Sequence, residues 1–196
     1  MKQSLVLIGG GGHCKSCIDV IEQEGRFKIV GIVDIQEKVG QNVLGYDIIG
    51  TEKDLPQLIT AHGNFLITVG QIQSPETRER LYTQAKNLGG HFPTIISPQA
   101  YVSDHARVAE ATIVMHQALV NAGASVGKNC IINTRALVEH DAGIGDHCHI
   151  ATGAIVNGGV TVGDRTFFGS GAVTKQYIRI SSGSFIKANS LVKGTT

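Results

Sequence analysis

Val126-Gly127-Lys128-Asn129-Cys130-Ile131-Ile132-Asn133-Thr134-Arg135-Ala136-Leu137-Val138-Glu139-His140-Asp141-Ala142-Gly143-Ile144 carries an aliphatic residue at every sixth position: Val126, Ile132, Val138 and Ile144. Followed in both directions, the same period runs from Ile96 through Val102, Val108, Val114 and Val120 to Ile180, Ile186 and Val192. Sixteen of these seventeen positions are apolar, Thr174 being the exception. Four residues after most of them stands a small residue, as at Ala118, Ala124, Cys130, Ala136, Ala142, Cys148 and Ala154. A fixed short period sustained over a hundred residues is the mark of a solenoid. Six residues per side and three sides per turn describe a left-handed parallel β-helix, in which each aliphatic side chain points inward and stacks on its counterpart one coil on. The rise per coil should be ~4.8 Å, the spacing of neighbouring strands. The small residues belong near the corners, where little volume is available. The register is unbroken from Ile96 to Thr196, which makes about five to six coils with no inserted loop. Such a prism cannot easily seal its own ends and flat faces, so assembly with other copies is expected.

The first ninety-odd residues have a different period. Lys2 to Ile8 reads as an apolar strand, Cys14 to Gln23 as a helix with Cys17, Ile18, Val20 and Ile21 available for burial, and Ile29 to Val33 as a second strand. A third strand, Phe65 to Val69, precedes a helix that starts near Ser74-Pro75 and ends at Gly89-Gly90. Alternation of this kind implies an α/β, Rossmann-like domain with a small parallel sheet. The expected division is residues 1–94 for that domain and 95–196 for the β-helix.

Composition excludes several classes. Seventeen Lys+Arg against sixteen Asp+Glu leave a formal charge of +1, so no field is available to hold nucleic acid or an anionic membrane. No apolar run approaches the ~20 residues of a membrane span, and Leu5-Val6-Leu7-Ile8 breaks into four glycines too early for a secretory signal. A cytoplasmic protein without membrane insertion is expected. Four cysteines in a chain of this length do not make a disulfide framework. Cys14 and Cys17 read as small core residues, with a redox pair as the alternative. Cys130 and Cys148 fall one coil apart in equivalent small positions and read as buried thiols.

Two segments could carry chemistry. Gly9-Gly10-Gly11-Gly12-His13 lies where the first strand meets the first helix, where glycines let backbone N–H groups approach a phosphate beside a helix N-terminus. Asp34 closes the second strand about twenty residues on, where an acid can hold a ribose hydroxyl, and Gly70 closes the third. Cys14 stands where a dinucleotide fingerprint has its third glycine, so nucleotide binding and a merely tight turn both remain open. The second segment runs from Asn133 to Asp141 and on to His147-Cys148-His149. His140 lies midway between inward Val138 and small Ala142 and should point outward. Between Glu139 and Asp141 its imidazole could be held in one tautomer as a general base, a surface histidine being the alternative. A zinc site would need His140, His147 and His149 to converge, and their spacing does not bring them together, so no metal is expected.

Taken together, these segments resemble the PglD/NeuD-type sugar acetyltransferases of the hexapeptide-repeat acyltransferase superfamily. The resemblance rests on Ile8-Gly9-Gly10-Gly11-Gly12-His13, Asp34, Val69-Gly70, Val138-Glu139-His140-Asp141 and Ile144-Gly145-Asp146-His147-Cys148-His149. It implies transfer of acetyl from acetyl-CoA to the 4-amine of a UDP-linked 4-amino-4,6-dideoxy sugar, by a homotrimer with sites between neighbouring β-helices. It also implies roles: His140 as general base; Asp141, where the family carries Glu, orienting it; Asn133 beside the sugar. Gly11, Gly12, His13, Asp34 and Gly70 would bind the nucleotide-sugar. His149 would hydrogen-bond the acetyl carbonyl or CoA, and main chain around Ser170 and Ala188 would run along the CoA arm. Family members commonly end in a Val-Gly-x-Pro-Ala-Lys-like tail, whereas this chain stops at Lys193-Gly194-Thr195-Thr196, implying looser CoA binding or a truncated chain. Competing expectations are O-acetylation of sialic acid or a related sugar, a metal-dependent hydratase, and a silent nucleotide-sugar-binding scaffold.

Overall fold

A computed structural model describes residues 2–194. These divide into two units, one ending at Gly70 and resuming over Glu76–Pro93, the other made of Gln71–Pro75 and the chain from Thr94 onward. Thr195 and Thr196, which close the repeat and the tail discussed above, lie outside the described residues.

In the first unit β1 (Gln3–Ile8) and β2 (Phe27–Val33) pair in parallel around α1 (Gly12–Glu24). Leu5, Val6 and Leu7 have no exposed surface, as a strand covered on both faces requires. The helix begins two residues before its apolar pattern, with Gly11 as N-cap, and stops at Gly25, whose left-handed φ of 77° lets its N–H reach the Ile21 carbonyl at 3.0 Å. Three elements escape the sequence pattern: β3 (Asn42–Val43), β4 (Tyr46–Gly50) and α2 (Leu55–His62). Strand β5 (Asn64–Ile67) completes the order β3-β4-β2-β1-β5, and α3 (Glu76–Asn87) follows. The sheet is therefore mixed rather than wholly parallel, because β3 pairs antiparallel with β4 through a turn at Leu44-Gly45. The turn is held by the Gly45 N–H donating to the Asn42 side chain at 2.7 Å. Strand β5 also stops short of Val69, because the buried Arg78 guanidinium takes the Ile67 and Val69 carbonyls as acceptors.

The second unit is the left-handed β-helix. Its strands are two residues long and form three parallel sheets, here called faces: face 1 begins at Ile95–Ile96, face 2 at Tyr101–Val102 and face 3 at Arg107–Val108. Partners lie one coil apart, as in Leu119↔Leu137 and Val120↔Val138. Inward residues from Val114 to Val192 and the small residues beside them make one continuous core. Each fully buried Val or Ile contributes roughly 1.5–3 kcal/mol, which stacks of two-residue strands could not otherwise supply. At the third position after each inward residue from Val108 to Ile186 the backbone is left-handed, and non-glycine residues take it repeatedly: Gln117, Asn129, Arg135, Asp141, His147, Arg165, Tyr177 and Asn189 have φ of 50–60°.

The small column Thr112, Cys130, Cys148, Thr166 does more than fill space. Thr112 Oγ1 donates to the Gly127 carbonyl at 2.7 Å, Cys130 Sγ to Gly145 at 3.1 Å and Cys148 Sγ to Gly163 at 3.2 Å, each tying one coil to the next. Cys130→Ala is expected to lower the unfolding free energy by about 1 kcal/mol, the usual net value of one such bond. Equilibrium denaturation would measure it. All four cysteines are free and buried, and burial pushes the Cys14 and Cys17 thiols up, away from redox chemistry near neutral pH.

The outward columns differ by face. Face 3 shows Arg107, Ser125, Gly143, Thr161 and Arg179, whereas face 2 shows Tyr101, Leu119, Leu137, Ile155, Val173 and Leu191, an apolar stripe the length of the prism. Tyr101 and Leu191, at its ends, are 59% and 58% exposed.

Candidate active site

In the first unit the glycine loop, Asp34 and Gly70 all follow the carboxyl ends of parallel strands, the edge where open α/β sheets bind ligands. Gly11 and Gly12 are exposed, and a Cβ on either would meet nothing within 4 Å, so the start of α1 faces open space. Gly70 sits 3.5 Å, measured from its would-be Cβ, from His13 Cβ, which brings those two positions together. Asp34 is committed within the chain. Its carboxylate accepts from the Gly10 N–H at 2.6 Å, the Ile35 N–H at 2.7 Å and Lys38 Nζ at 3.0 Å. Partial burial would raise its pKa, but these donors outweigh that and hold it below the ordinary value. Asp34 thus pins the glycine loop, and the residues beyond it line a cavity of about 500 Å³: Ile35, Gln36, Glu37, Thr51, Glu52, Lys53 and Gln84. Gln36, Thr51 and Lys53 carry no motif by which the sequence could have singled them out.

In the second unit His140 and Asp141 occupy the corner between faces 2 and 3. Asp141 takes the left-handed corner position, φ 60°, which turns its carboxylate back beside the preceding ring, and His140 Nδ1–H donates to Asp141 Oδ2 at 2.9 Å. Nδ1 therefore carries the proton, and Nε2 keeps its lone pair. The hydrogen bond that His140 donates to Asp141, with the nearby carboxylate charges of Asp141 and Glu139, raises the His140 pKa above its ordinary 6.5. Glu139 holds the backbone instead, accepting from the His140 N–H at 3.0 Å and from Asn121 Nδ2 at 2.8 Å.

Two glycines shape this seat. A Cβ on Gly158, one coil beyond His140, would lie 2.6 Å from His140 Nε2, and a Cβ on Gly123, one coil before Asp141, would collide with Asp141 Oδ1. The ring thus leans over bare backbone on one side and the carboxylate on the other. Gly158→Ala should push the ring off Asp141 and reduce turnover by roughly tenfold, the size expected for a misplaced but present base. Steady-state kinetics on the folded variant would read it.

Asn133 and His149 stand on face 1, opposite the His140 corner in a three-sided prism. His149 is 7% exposed; its Nδ1–H donates to the Gln71 carbonyl at 2.6 Å, and its Nε2 accepts from Asn133 Nδ2 at 3.0 Å. In this tautomer the ring has no N–H left for an oxyanion, the role the resemblance implies. A donor of the pair that can face a ligand is the second N–H of Asn133, whose Oδ1 is held by the Thr134 N–H at 2.8 Å. Nothing in the sequence marks the Gln71 carbonyl as the group that orients His149. Ser170 and Ala188 stack at the exposed corner between faces 1 and 2, where the Asn189 N–H bonds the Ser170 carbonyl at 2.9 Å. His147 lies at the third corner, near Asn129, so His140, His147 and His149 point to three different parts of the prism. Among the described residues no group of three His, Cys, Asp or Glu side chains could hold a metal. No described helix is long and apolar enough to cross a membrane.

Comparison with known proteins bears on both units. The PglD N-terminal domain model matches residues 4–85, and the bacterial transferase hexapeptide model (six repeats) matches residues 141–176. The acetyltransferase domain of PglB from Neisseria gonorrhoeae FA1090, solved with acetyl coenzyme A, superposes with a TM-score of 0.91 at 28% identity, covering 100% of this chain and 93% of that one. PerB from Caulobacter crescentus, solved with CoA and GDP-perosamine, gives a TM-score of 0.90 at 30% identity, covering 98% and 89%. WeeI from Acinetobacter baumannii AYE, at 18% identity and a TM-score of 0.76, shares the fold. No curated sequence relative is significantly similar.

Proposed function

The chain belongs to the PglD/NeuD-type family of hexapeptide-repeat sugar acetyltransferases and uses acetyl-CoA, and on that premise we propose that it N-acetylates the 4-amine of a UDP-linked 4-amino-4,6-dideoxy sugar. The observation that carries this reading is the His140–Asp141 pair: an exposed corner imidazole with Nδ1 tied to a carboxylate and Nε2 over Gly158. Nε2 takes the proton from the acceptor amine as its nitrogen attacks the thioester carbonyl. Collapse of the tetrahedral adduct breaks the C–S bond, and the imidazolium returns the proton to the departing CoA thiolate. Asp141 stabilises the imidazolium in between.

The same reading makes the enzyme a homotrimer. One chain holds the base on the corner between faces 2 and 3, and holds Asn133, His149, Ser170 and Ala188 on or beside face 1. A site that uses both must draw on two copies, and the apolar stripe of face 2, which ends at the His140 corner, is the surface by which copies would pack. Asn133 then lies beside the acceptor, and main chain at Ser170 and Ala188 along the CoA arm. Gly11, Gly12, His13 and Gly70 take the diphosphate side of the sugar nucleotide, with Asp34 holding the loop in place.

Release of CoA thiol from acetyl-CoA tests the reading, with UDP- and GDP-linked 4-amino-4,6-dideoxy sugars, the unlinked sugar and sialic acid as acceptors. Turnover on the UDP-linked amine above the rest is expected. Preference for the GDP-linked amine would reassign the base, turnover on sialic acid would make the enzyme an O-acetyltransferase, and none on any acceptor would leave a silent scaffold.

A further inference from the structure

Thr174 is the one polar side chain among the seventeen inward positions, and it is 1% exposed on face 2. A buried hydroxyl costs stability unless it is hydrogen-bonded, and the partner of this one is a backbone group. At the equivalent place on the same face Ser103, Asn121, Glu139 and Lys175 each donate their N–H to the carbonyl of the inward residue one coil on, at 2.8–2.9 Å. Asn157 breaks the series. Its N–H donates to Thr174 Oγ1 at 2.8 Å, and its Nδ2 takes the Thr174 carbonyl at 2.5 Å. The strand pairing is cut at the same point: Ile155↔Val173 is left as a single pair, whereas the coils before and after keep two pairs each. The turn that follows is stretched, with the Val160 N–H reaching the Asn157 carbonyl at 3.4 Å, against 2.9–3.2 Å for its counterparts Ala106, Ala124 and Ala142.

That turn carries the seat of the base. Asn157 is joined to Gly158, the bare backbone on which the His140 ring rests, with Nε2 2.6 Å from the place a Cβ would take. The turn is tied to the ring's own coil as well, since the Gly159 N–H donates to the His140 carbonyl at 3.0 Å. We propose that Thr174 is a positioning residue for His140: its hydroxyl draws the start of this turn inward, so that Gly158 lies where the ring can rest on it and keep Nδ1 on Asp141. Thr174 faces the core and acts through Asn157 and Gly158. Packing alone gives no reason for a threonine, because the same column carries valine at Val156 and Val192, one coil to either side. Valine has the shape of threonine without the acceptor, and with it the regular ladder bond from the residue 157 N–H to the residue 174 carbonyl would return. The inference rests on the reading of His140 as the base.

Thr174→Val therefore tests it. With the UDP-linked amine and acetyl-CoA, kcat should fall about tenfold while both KM values stay within about twofold, the pattern of a base that is present but misplaced. Stability should hold, with a melting temperature within about 4 °C of the parent's. The titration midpoint of His140, followed by NMR of its ring protons without substrate, should drop toward 6.5 as the ring slips from the Asp141 and Glu139 carboxylates that hold it up. Thr174→Ser keeps the acceptor and should keep most of the parent's rate. Asn157→Ala frees the Thr174 carbonyl for the ladder bond and should lose rate and midpoint as the valine variant does, which carries the test should that variant fail to fold. Alanine is at home there, since Ala109 and Ala151 hold the equivalent position on the other faces. A parent-like His140 midpoint in the folded variants, or a serine variant as slow as the valine one, would overturn the proposal. A lowered midpoint with parent-like kcat would uphold the positioning of the ring and overturn instead the reading of His140 as the base.

Discussion

His140→Ala is expected to lower kcat by ~10²–10⁴-fold, the range that a positioned general base supplies. Fold and assembly should survive, because the side chain is 46% exposed, contributes nothing to the inward core and leans on a glycine. A loss of folding, or turnover within a few-fold of the parent, would remove His140 from this role. The pH profile adds a second readout. The base works deprotonated, and Asp141 raises its pKa above 6.5, so kcat/KM should fall on the acid side as pH drops through a value above 6.5. Asp141→Asn removes both the carboxylate hydrogen bond and its charge. The acid limb should then move to lower pH while kcat drops, a combination that a merely structural Asp141 would not give. The Asp141 side chain reaches the ring because its left-handed backbone brings the carboxylate to 2.9 Å from Nδ1, so a longer side chain is not required for the contact.

Much of this was legible in the sequence, and what was not has a physical reason. The β-helix announces itself because all inward positions but Thr174 are filled by apolar side chains at a constant interval, so Val102, Val120, Val138 and Val156 report one stacked line without any tertiary knowledge. The hairpin of β3 and β4 and the helix α2 stayed hidden. The hairpin strands are two and five residues long, and α2 buries only Leu55, too little for a period to emerge. His140 could be singled out by its place in the hexad. Its seat could not, since Gly123 and Gly158 matter only through the coils stacked before and after it. The same holds for Asp34, whose three donors come from the loop, its own neighbour and a helical turn, and for the Gln71 carbonyl, which meets His149 from far along the chain.

The composite site makes the strongest claim, and subunit complementation tests it most directly. His140→Ala removes the base from one side. Asn133→Ala with His149→Ala strips face 1, taking away both the amide proposed to meet the ligand and the ring hydrogen-bonded to it, and should by itself cost at least about 100-fold in kcat/KM. Co-expressed in equal amounts, the two inactive chains should assemble into mixed copies of the proposed trimer. An intact site arises wherever a copy that keeps His140 meets a neighbour that keeps face 1, which random assembly gives at about a quarter of the sites. Recovery of roughly that share of parent activity, from two preparations that are each nearly inactive alone, is the predicted result. Activity that stays at the level of the separate variants, in trimers shown to contain both chains, would mean that each site is drawn from a single β-helix and would contradict the account.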